Sequence, residues 1–279
     1  MATLLTLKRR IKTTRNVSKT TKAMQMISAS KLKKAQTSAE SSKPYVEKLA
    51  NISKSITQKI EADEKSEYMK TPNVNYKLII VISPDKGLCG GLVTNLAREL
   101  IHYNSKDKLY FITIGKKAEN IVSKLDKDII ASFPFGTSLP EFDIVYPISK
   151  IVDEYFINKK VSEVLILSTK FSSVFAQYPN ISSLLPVKLD ESKLSDKITL
   201  FEPNVKELLP DLLQHYLEMV IYQSLLESYA SEQAARMIAM KNATDNANDM
   251  IAELNLEYNK SRQEKITNEL LDISGGGLT

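Results

Sequence analysis

The sequence predicts an α/β protein of two unlike parts. Its N- and C-terminal helices form a long antiparallel coiled coil, and between them lies an α/β domain with a mostly parallel sheet. Three observations predict this. From Asp211 to Ser274 there is neither Gly nor Pro, and at ~1.5 Å rise per residue an unbroken helix there would be roughly 96 Å long. The first Pro is Pro44 and the first Gly is Gly87, so a second long helix fits residues 3 to 43. Only between residues 75 and 200 do short β-rich apolar runs alternate with amphipathic stretches. A globular middle of that size has a radius of gyration near ~14 Å, so the C-terminal helix outruns any core the chain builds for itself.

The chain is read as three segments: an N-terminal coiled-coil helix over 1–60, an α/β domain over 75–200 and a C-terminal coiled-coil helix over 205–279. In the first, Leu4, Leu7, Ile11, Val17, Thr21, Met24, Ile27 and Leu32 fall near one face, a thin stripe diluted by Thr, Ser and Ala. Pro44 is expected to kink or interrupt this helix, with Tyr45, Leu49, Ile52, Ile56 and Ile60 resuming it. In the third, a 3,4 alternation runs from Leu209 through Leu212, Tyr216, Met219, Gln223, Leu226, Ala230, Gln233, Met237, Met240, Thr244, Ala247, Ile251, Leu254 and Tyr258 to Ser261. Twelve of those sixteen positions are apolar, which is a coiled-coil signal that needs a partner strand. If some forty residues of the first helix pair with the last from its start, the partner runs out near residue 247 and leaves roughly 40 Å uncovered. Ile251, Leu254, Tyr258, Ile266, Leu270 and Leu271 continue apolar beyond it, so a surrounding protein is expected there.

In the middle segment, strands are expected at Leu78 to Ile82, Leu109 to Ile114 and Val164 to Leu167. Helices are expected at Leu92 to Tyr103, Lys116 to Leu125 and Tyr146 to Asn158. Phe171 to Tyr178 and Ser182 to Val187 suggest an antiparallel edge. Glu61 to Asn75 and Asp190 to Asp196 read as loops. Together these elements describe a Rossmann-like layer.

Charge is divided unevenly along the chain. Residues 1 to 39 hold ten Lys or Arg and no acid, residues 211 to 279 hold five bases against eleven acids, and the total is +5. The segments are therefore +10 and −6, leaving +1 for the middle. Opposite ends of opposite sign favour pairing. The basic helix is open to three readings: nucleic acid, an anionic membrane surface, or an acidic protein. No aromatic interleaves its charges, against base stacking, and its apolar stripe is too weak for a lipid interface, so an acidic protein surface fits best. A single cysteine, Cys89, excludes an internal disulfide. No run approaches ~18 apolar residues, so no bilayer-spanning segment is predicted. The opening Met1 to Lys12 lacks the apolar segment and cleavage site of a secretory signal, although its basic, acid-free character imitates an organellar transit peptide.

The inventory for chemistry is thin. Ser83-Pro84-Asp85-Lys86-Gly87-Leu88-Cys89-Gly90-Gly91 lies between a predicted strand and helix, where phosphate loops sit, but it has neither P-loop nor dinucleotide spacing. A tight turn whose glycines take positive φ explains it better. His102 and His215 are far apart, which disfavours a metal or triad site, and a lone cysteine such as Cys89 is ordinarily inert. Scattered carboxylates read as solvated faces or ion pairs. No cofactor, metal or catalytic residue is expected.

Three blocks carry a resemblance. Leu7-Lys8-Arg9-Arg10-Ile11-Lys12 with Lys19-Thr20-Thr21-Lys22-Ala23-Met24 and Ala29-Ser30-Lys31-Leu32 forms the first. Ser228-Tyr229-Ala230-Ser231-Glu232-Gln233-Ala234-Ala235-Arg236-Met237 with Asn242-Ala243-Thr244-Asp245-Asn246-Ala247 forms the second. Tyr258-Asn259-Lys260-Ser261-Arg262-Gln263 with Ile266-Thr267-Asn268-Glu269-Leu270 forms the third, and Asp85 to Gly90 adds a short match in the middle. They resemble the γ subunit of F-type ATP synthases. Gly275-Gly276-Gly277 departs from the family's Gly-Ala ending and loosens the extreme tip, and Pro84 departs in the approach to the glycine loop.

The resemblance implies a noncatalytic central-stalk rotor without a cofactor. Its partners would be the α and β subunits, the ε subunit and the ring of subunit c. It would be peripheral on the cytoplasmic face of a bacterial inner membrane, because the family motif starts by Leu7 and leaves no room for a presequence if Met1 is the true start. It implies that Lys22, Met24 and Lys31, with Arg9 and Arg10, face the acidic lever segment of β. Arg262, Gln263, Thr267 and Glu269 would meet inner β loops, and Phe201, Glu202 and Pro203 would form a foot near subunit c. Two other classes remain in view at this point. They are a basic coiled-coil nucleic-acid-binding protein and a small α/β enzyme.

Overall fold

The computed structural model describes residues 3–57, 66–103, 107–187 and 205–275, the side chains at 205–207 and 272–275 excepted. In chain order the elements are α1 (Leu4–Thr57), a 3-10 turn at Glu67–Met69, β1 (Tyr76–Ile82), α2 (Leu92–His102), β2 (Lys108–Ile114), α3 (Lys116–Lys124), β3 (Asp128–Phe133), a 3-10 turn at Phe142–Ile144, α4 (Val145–Ile157), β4 (Glu163–Phe171), β5 (Gln177–Leu185) and α5 (Val205–Gly275). They divide into two compact units, one of residues 1–29 with 236–279 and one of residues 30–235.

In the larger unit the five strands lie in the order β3-β2-β1-β4-β5. β1 pairs in parallel with β2 and with β4, and β2 pairs in parallel with β3. β5 returns antiparallel to β4. The expected α/β layer with a mostly parallel sheet is present. Its central strand, Tyr-Lys-Leu-Ile-Ile-Val-Ile, is buried over its last five residues, because a parallel strand covered on both faces needs a continuous apolar run rather than an alternating one. On one face Ile79, Val81, Phe111, Leu165 and Leu167 pack with Leu96 and Leu100 of α2 and with Ala118 and Val122 of α3. Leu78, Ile80, Ile112 and Ile166 on the other face are fully buried as well.

Two elements differ from the sequence reading. β3, Asp-Ile-Ile-Ala-Ser-Phe, was not legible, since none of its residues is buried and edge strands lose the apolar run that marks a central one. The antiparallel edge is one strand, Gln177–Leu185, rather than two pieces. The expected loop at 190–196 lies outside the described residues.

α1 passes through Pro44 without a break in its helical assignment. Pro44 is exposed, so the carbonyl one turn earlier that lacks its donor can take one from water. The stripe on α1 also differs. Val17 and Ile27 are 48% and 56% exposed, while Leu7, Ile11, Ser28, Leu32, Ala35, Leu49, Ser53 and Ile56 are buried and Thr14, Ser18, Thr21 and Gln25 half-buried. With Ala39, Ser42 and Val46, also half-buried, this is an unbroken 4,3 alternation in which much of the seam is hydroxyl or amide. An apolar-only reading drifted onto the neighbouring face for that reason. On α5, by contrast, every one of the sixteen expected seam positions from Leu209 to Ser261 is buried or half-buried.

Candidate functional site

In the unit of residues 1–29 and 236–279, three side-chain contacts fix the antiparallel register. Thr21 and Thr244 share a hydrogen bond of 2.7 Å, the Ser18 hydroxyl donates to Asn248 Oδ1 at 2.8 Å, and the Thr14 hydroxyl lies 4.0 Å from Met250 Sδ. Moving back along α1 is moving forward along α5, so Leu4 comes level with Ser261. Burial agrees: Ser261 is half-buried and every residue from Arg262 to Leu271 is exposed. The expectation that cover ends near residue 247 is therefore corrected. Ala247 is 7% exposed, and Ile251, Leu254 and Tyr258 are half-buried. The expectation allowed some forty residues of partner helix, whereas α1 runs through Pro44 for 54 residues, Leu4–Thr57. What lies past α1 is the stretch from 262 to 275, about 20 Å of helix at ~1.5 Å per residue. Ile266, Leu270 and Leu271 there are 48%, 61% and 61% exposed.

Arg262, Gln263, Thr267 and Glu269 all lie on this uncovered stretch. The Thr267 hydroxyl donates back to the Gln263 carbonyl at 3.0 Å, and Lys265 reaches Glu269 at 3.6 Å. Both contacts are local to the helix and leave its outer surface available. Arg9, Arg10 and Lys22 are exposed on α1, and Met24 is half-buried beside the seam. Phe201, Glu202 and Pro203 lie outside the described residues.

Lys31 belongs to the larger unit and is held there. Its ammonium donates to the Thr137 carbonyl. The Tyr229 hydroxyl, on α5, donates to the same carbonyl at 3.2 Å, and the Tyr229 ring lies 6.2 Å from that of Phe135. The turn between them, Phe135-Gly136-Thr137, is also gripped from the amide side. Asp85 of the glycine loop accepts from Gly136 N–H at 2.8 Å and Phe135 N–H at 3.4 Å, and from Lys116 N–H at the start of α3 at 2.9 Å. Sequence reasoning missed the parts of Asp85, Thr137 and Tyr229. The acidic side chain standing just before the glycines was the one available signal.

The same loop is also bonded to its neighbours. Ser83 N–H donates to Ile114 O at 2.9 Å and Lys117 N–H to Pro84 O at 3.2 Å, so the loop is sewn to the turn after β2. Gly115 in that turn has φ +96°, and a Cβ there would lie 1.9 Å from Ser83 O. In an open α/β sheet a ligand ordinarily sits outside the carboxyl ends of the strands, where strand order reverses. Here the reversal falls between β1 and β4, and α5 is bonded there: Ser228 accepts from Thr169 N–H at 3.3 Å and Ser231 donates to Thr169 O at 3.1 Å. Cys89 is buried, and among the described residues no group of three or more His, Cys, Asp or Glu could hold a metal ion.

Asp153 is a half-buried carboxyl of this unit. Burial and the nearby charge of Glu218 push its carboxyl above the ordinary aspartate value, against the hydrogen bond that the Tyr68 hydroxyl donates at 3.0 Å. It lies on α4 against the 3-10 turn at Glu67–Met69.

Comparisons with known proteins identify the family. The sequence profile of the family described as ATP synthase matches residues 3–277. The ATP synthase gamma chain of Dehalococcoides mccartyi is 39% identical over 280 residues, covering 99% of this chain and 98% of that one. The gamma chain of Ruthia magnifica is 36% identical over 273 residues, covering 95% of each. Among solved structures, the fold matches a chain of the Euglena gracilis mitochondrial ATP synthase rotor with TM-score 0.69 at 17% identity, over 94% of this chain and 98% of that one. The chain belongs to the ATP synthase gamma-chain family.

Proposed function

We propose that this chain works as the noncatalytic central rotor of an F-type ATP synthase, coupling proton flow through a membrane sector to ATP synthesis in a ring of α and β subunits. The observation that carries the reading is the far end of α5. Fourteen residues of helix, 262 to 275, run past the first residue of α1, Leu4, with Ile266, Leu270 and Leu271 exposed, a surface that a collar of neighbouring subunits would cover. The mechanism follows from asymmetry. A two-helix rod has no threefold axis, so inside a threefold ring it meets each β subunit through a different face. Turning the rod then changes which conformation each site prefers, and nucleotide affinity changes with it.

Arg9, Arg10, Lys22 and Met24 stand on the exposed or half-exposed side of the basic helix, suited to an acidic lever of β, and Arg262, Gln263, Thr267 and Glu269 to inner loops of β. Phe201, Glu202 and Pro203 would form the foot on the subunit c ring, beside ε. No described helix is long and apolar enough to cross a membrane, and the most similar gamma chains include bacterial ones, in keeping with a peripheral position on the cytoplasmic face. Co-purification tests the reading. Recovery of α and β subunits with ATPase activity supports it, whereas recovery of nucleic acid, or activity from the purified chain alone, refutes it. Protons pumped per ATP in a Met24→Lys complex test the lever contact, and an unchanged ratio counts against it.

A further inference from the structure

We infer that Lys31 and Tyr229 are positioning residues that key the α/β layer to the two helices bonded to it, through the single carbonyl of Thr137. The inference rests on the rotor reading and goes beyond it, since it names where torque enters the helix pair. Apolar packing is non-directional, so a layer held to a helix pair by packing alone can turn against it under load. Hydrogen bonds are directional and resist that turn. Lys31 from α1 and Tyr229 from α5 converge on one acceptor, so both helices are referred to the same point of the layer.

The acceptor itself cannot drift. Gly136, at φ +82°, sets the turn, and Asp85 holds the Gly136, Phe135 and Lys116 amides from the opposite side. A second contact reinforces the first: Ser228 and Ser231 of α5 bracket the backbone of Thr169 near the end of β4, with all three residues buried. Lys31 and Tyr229 both lie within a few residues of the boundaries at 30 and 235 that mark off this unit. Lys31, read from sequence as a partner contact, makes this hydrogen bond inside the chain.

The test uses the assembled complex in membrane vesicles carrying Lys31→Met, Tyr229→Phe or both, with ATP hydrolysis and ATP-driven proton pumping measured together. Tyr229→Phe keeps the ring on Phe135 and removes only the hydroxyl, so it preserves folding where a larger change would not. The expected result is hydrolysis near the native rate with pumping per ATP lowered about threefold or more in the double variant, the factor that one net hydrogen bond of ordinary strength corresponds to. Lys31→Arg, which keeps the donor, restores the ratio. A purely structural part would lower assembly and leave the ratio alone. An unchanged ratio in the double variant, beside normal coupling by the native chain, overturns this inference and leaves the rotor reading standing. Absence of coupled pumping with the native chain overturns both.

Discussion

The hydroxyl pair Thr21 and Thr244 gives the sharpest energetic prediction for the shaft. The two hydroxyls are 2.7 Å apart and Thr244 is only 6% exposed. Each can also reach a carbonyl of its own helix, Thr21 that of Ser18 at 3.0 Å and Thr244 that of Met240 at 2.8 Å. A hydroxyl has one proton, so at any moment one threonine donates across the seam and the other donates backward. Removing either hydroxyl therefore leaves the survivor a carbonyl to donate to, and the single Val variants lose about one net hydrogen bond, ~0.5–1.5 kcal/mol, rather than the larger penalty of an orphaned donor. Removing both leaves two apolar side chains of similar shape in contact. The double variant is expected within about 0.5 kcal/mol of native or slightly above it, giving a coupling of about 2 kcal/mol between the sites. Urea unfolding of the full chain, followed by helical circular dichroism at four corners of the cycle, measures it. Additive losses in the double variant would refute the reasoning, because they would mean that the hydroxyls do not serve each other.

Other outcomes follow from the same geometry. Gly115→Ala is expected to cost about 3 kcal/mol or more, combining the penalty of a side chain at positive φ with loss of two backbone hydrogen bonds, from Ser83 N–H and Gly115 N–H; the midpoint of unfolding of the purified chain reports it. Deleting residues 262 to 279 is expected to change the stability of the isolated chain by less than about 0.5 kcal/mol, since the described side chains there are exposed. The same deletion in the complex should weaken retention of the rotor, read by co-purification with α and β. Asp153 has a folded pKa above its ordinary value of 3.8 and so favours the native state most when protonated. That contribution is full below 3.8 and is lost as pH rises through the folded value. Asp153→Asn, which keeps an acceptor for Tyr68, should be more stable than native at neutral pH, with the advantage shrinking on acidification; a difference independent of pH would refute it.

Two things were fixed by local pattern. The heptad stripe of α5 from Leu209 to Ser261 was legible because most of its positions are apolar and no Gly or Pro interrupts them. The buried strands β1, β2 and β4 were legible because parallel strands covered on both faces must be apolar throughout. The basic and acidic ends, the exposed apolar residues past Ser261 and the family motifs are likewise properties of the chain read in order.

Other features exist only once distant segments meet. The seam of α1 is built from Thr14, Ser18, Thr21, Gln25 and Ser28, which carry no apolar signal and are recognisable as a seam only opposite α5. The length of the uncovered tip depends on register, and register is set by side-chain pairs more than two hundred residues apart. β3 became a strand because β2 offered it an edge. Lys31 changed from an available cation to a tethered one because a carbonyl a hundred residues away sits within reach of it. Periodicity records what a segment hides, whereas hydrogen bonding between segments depends on where each of them ends up.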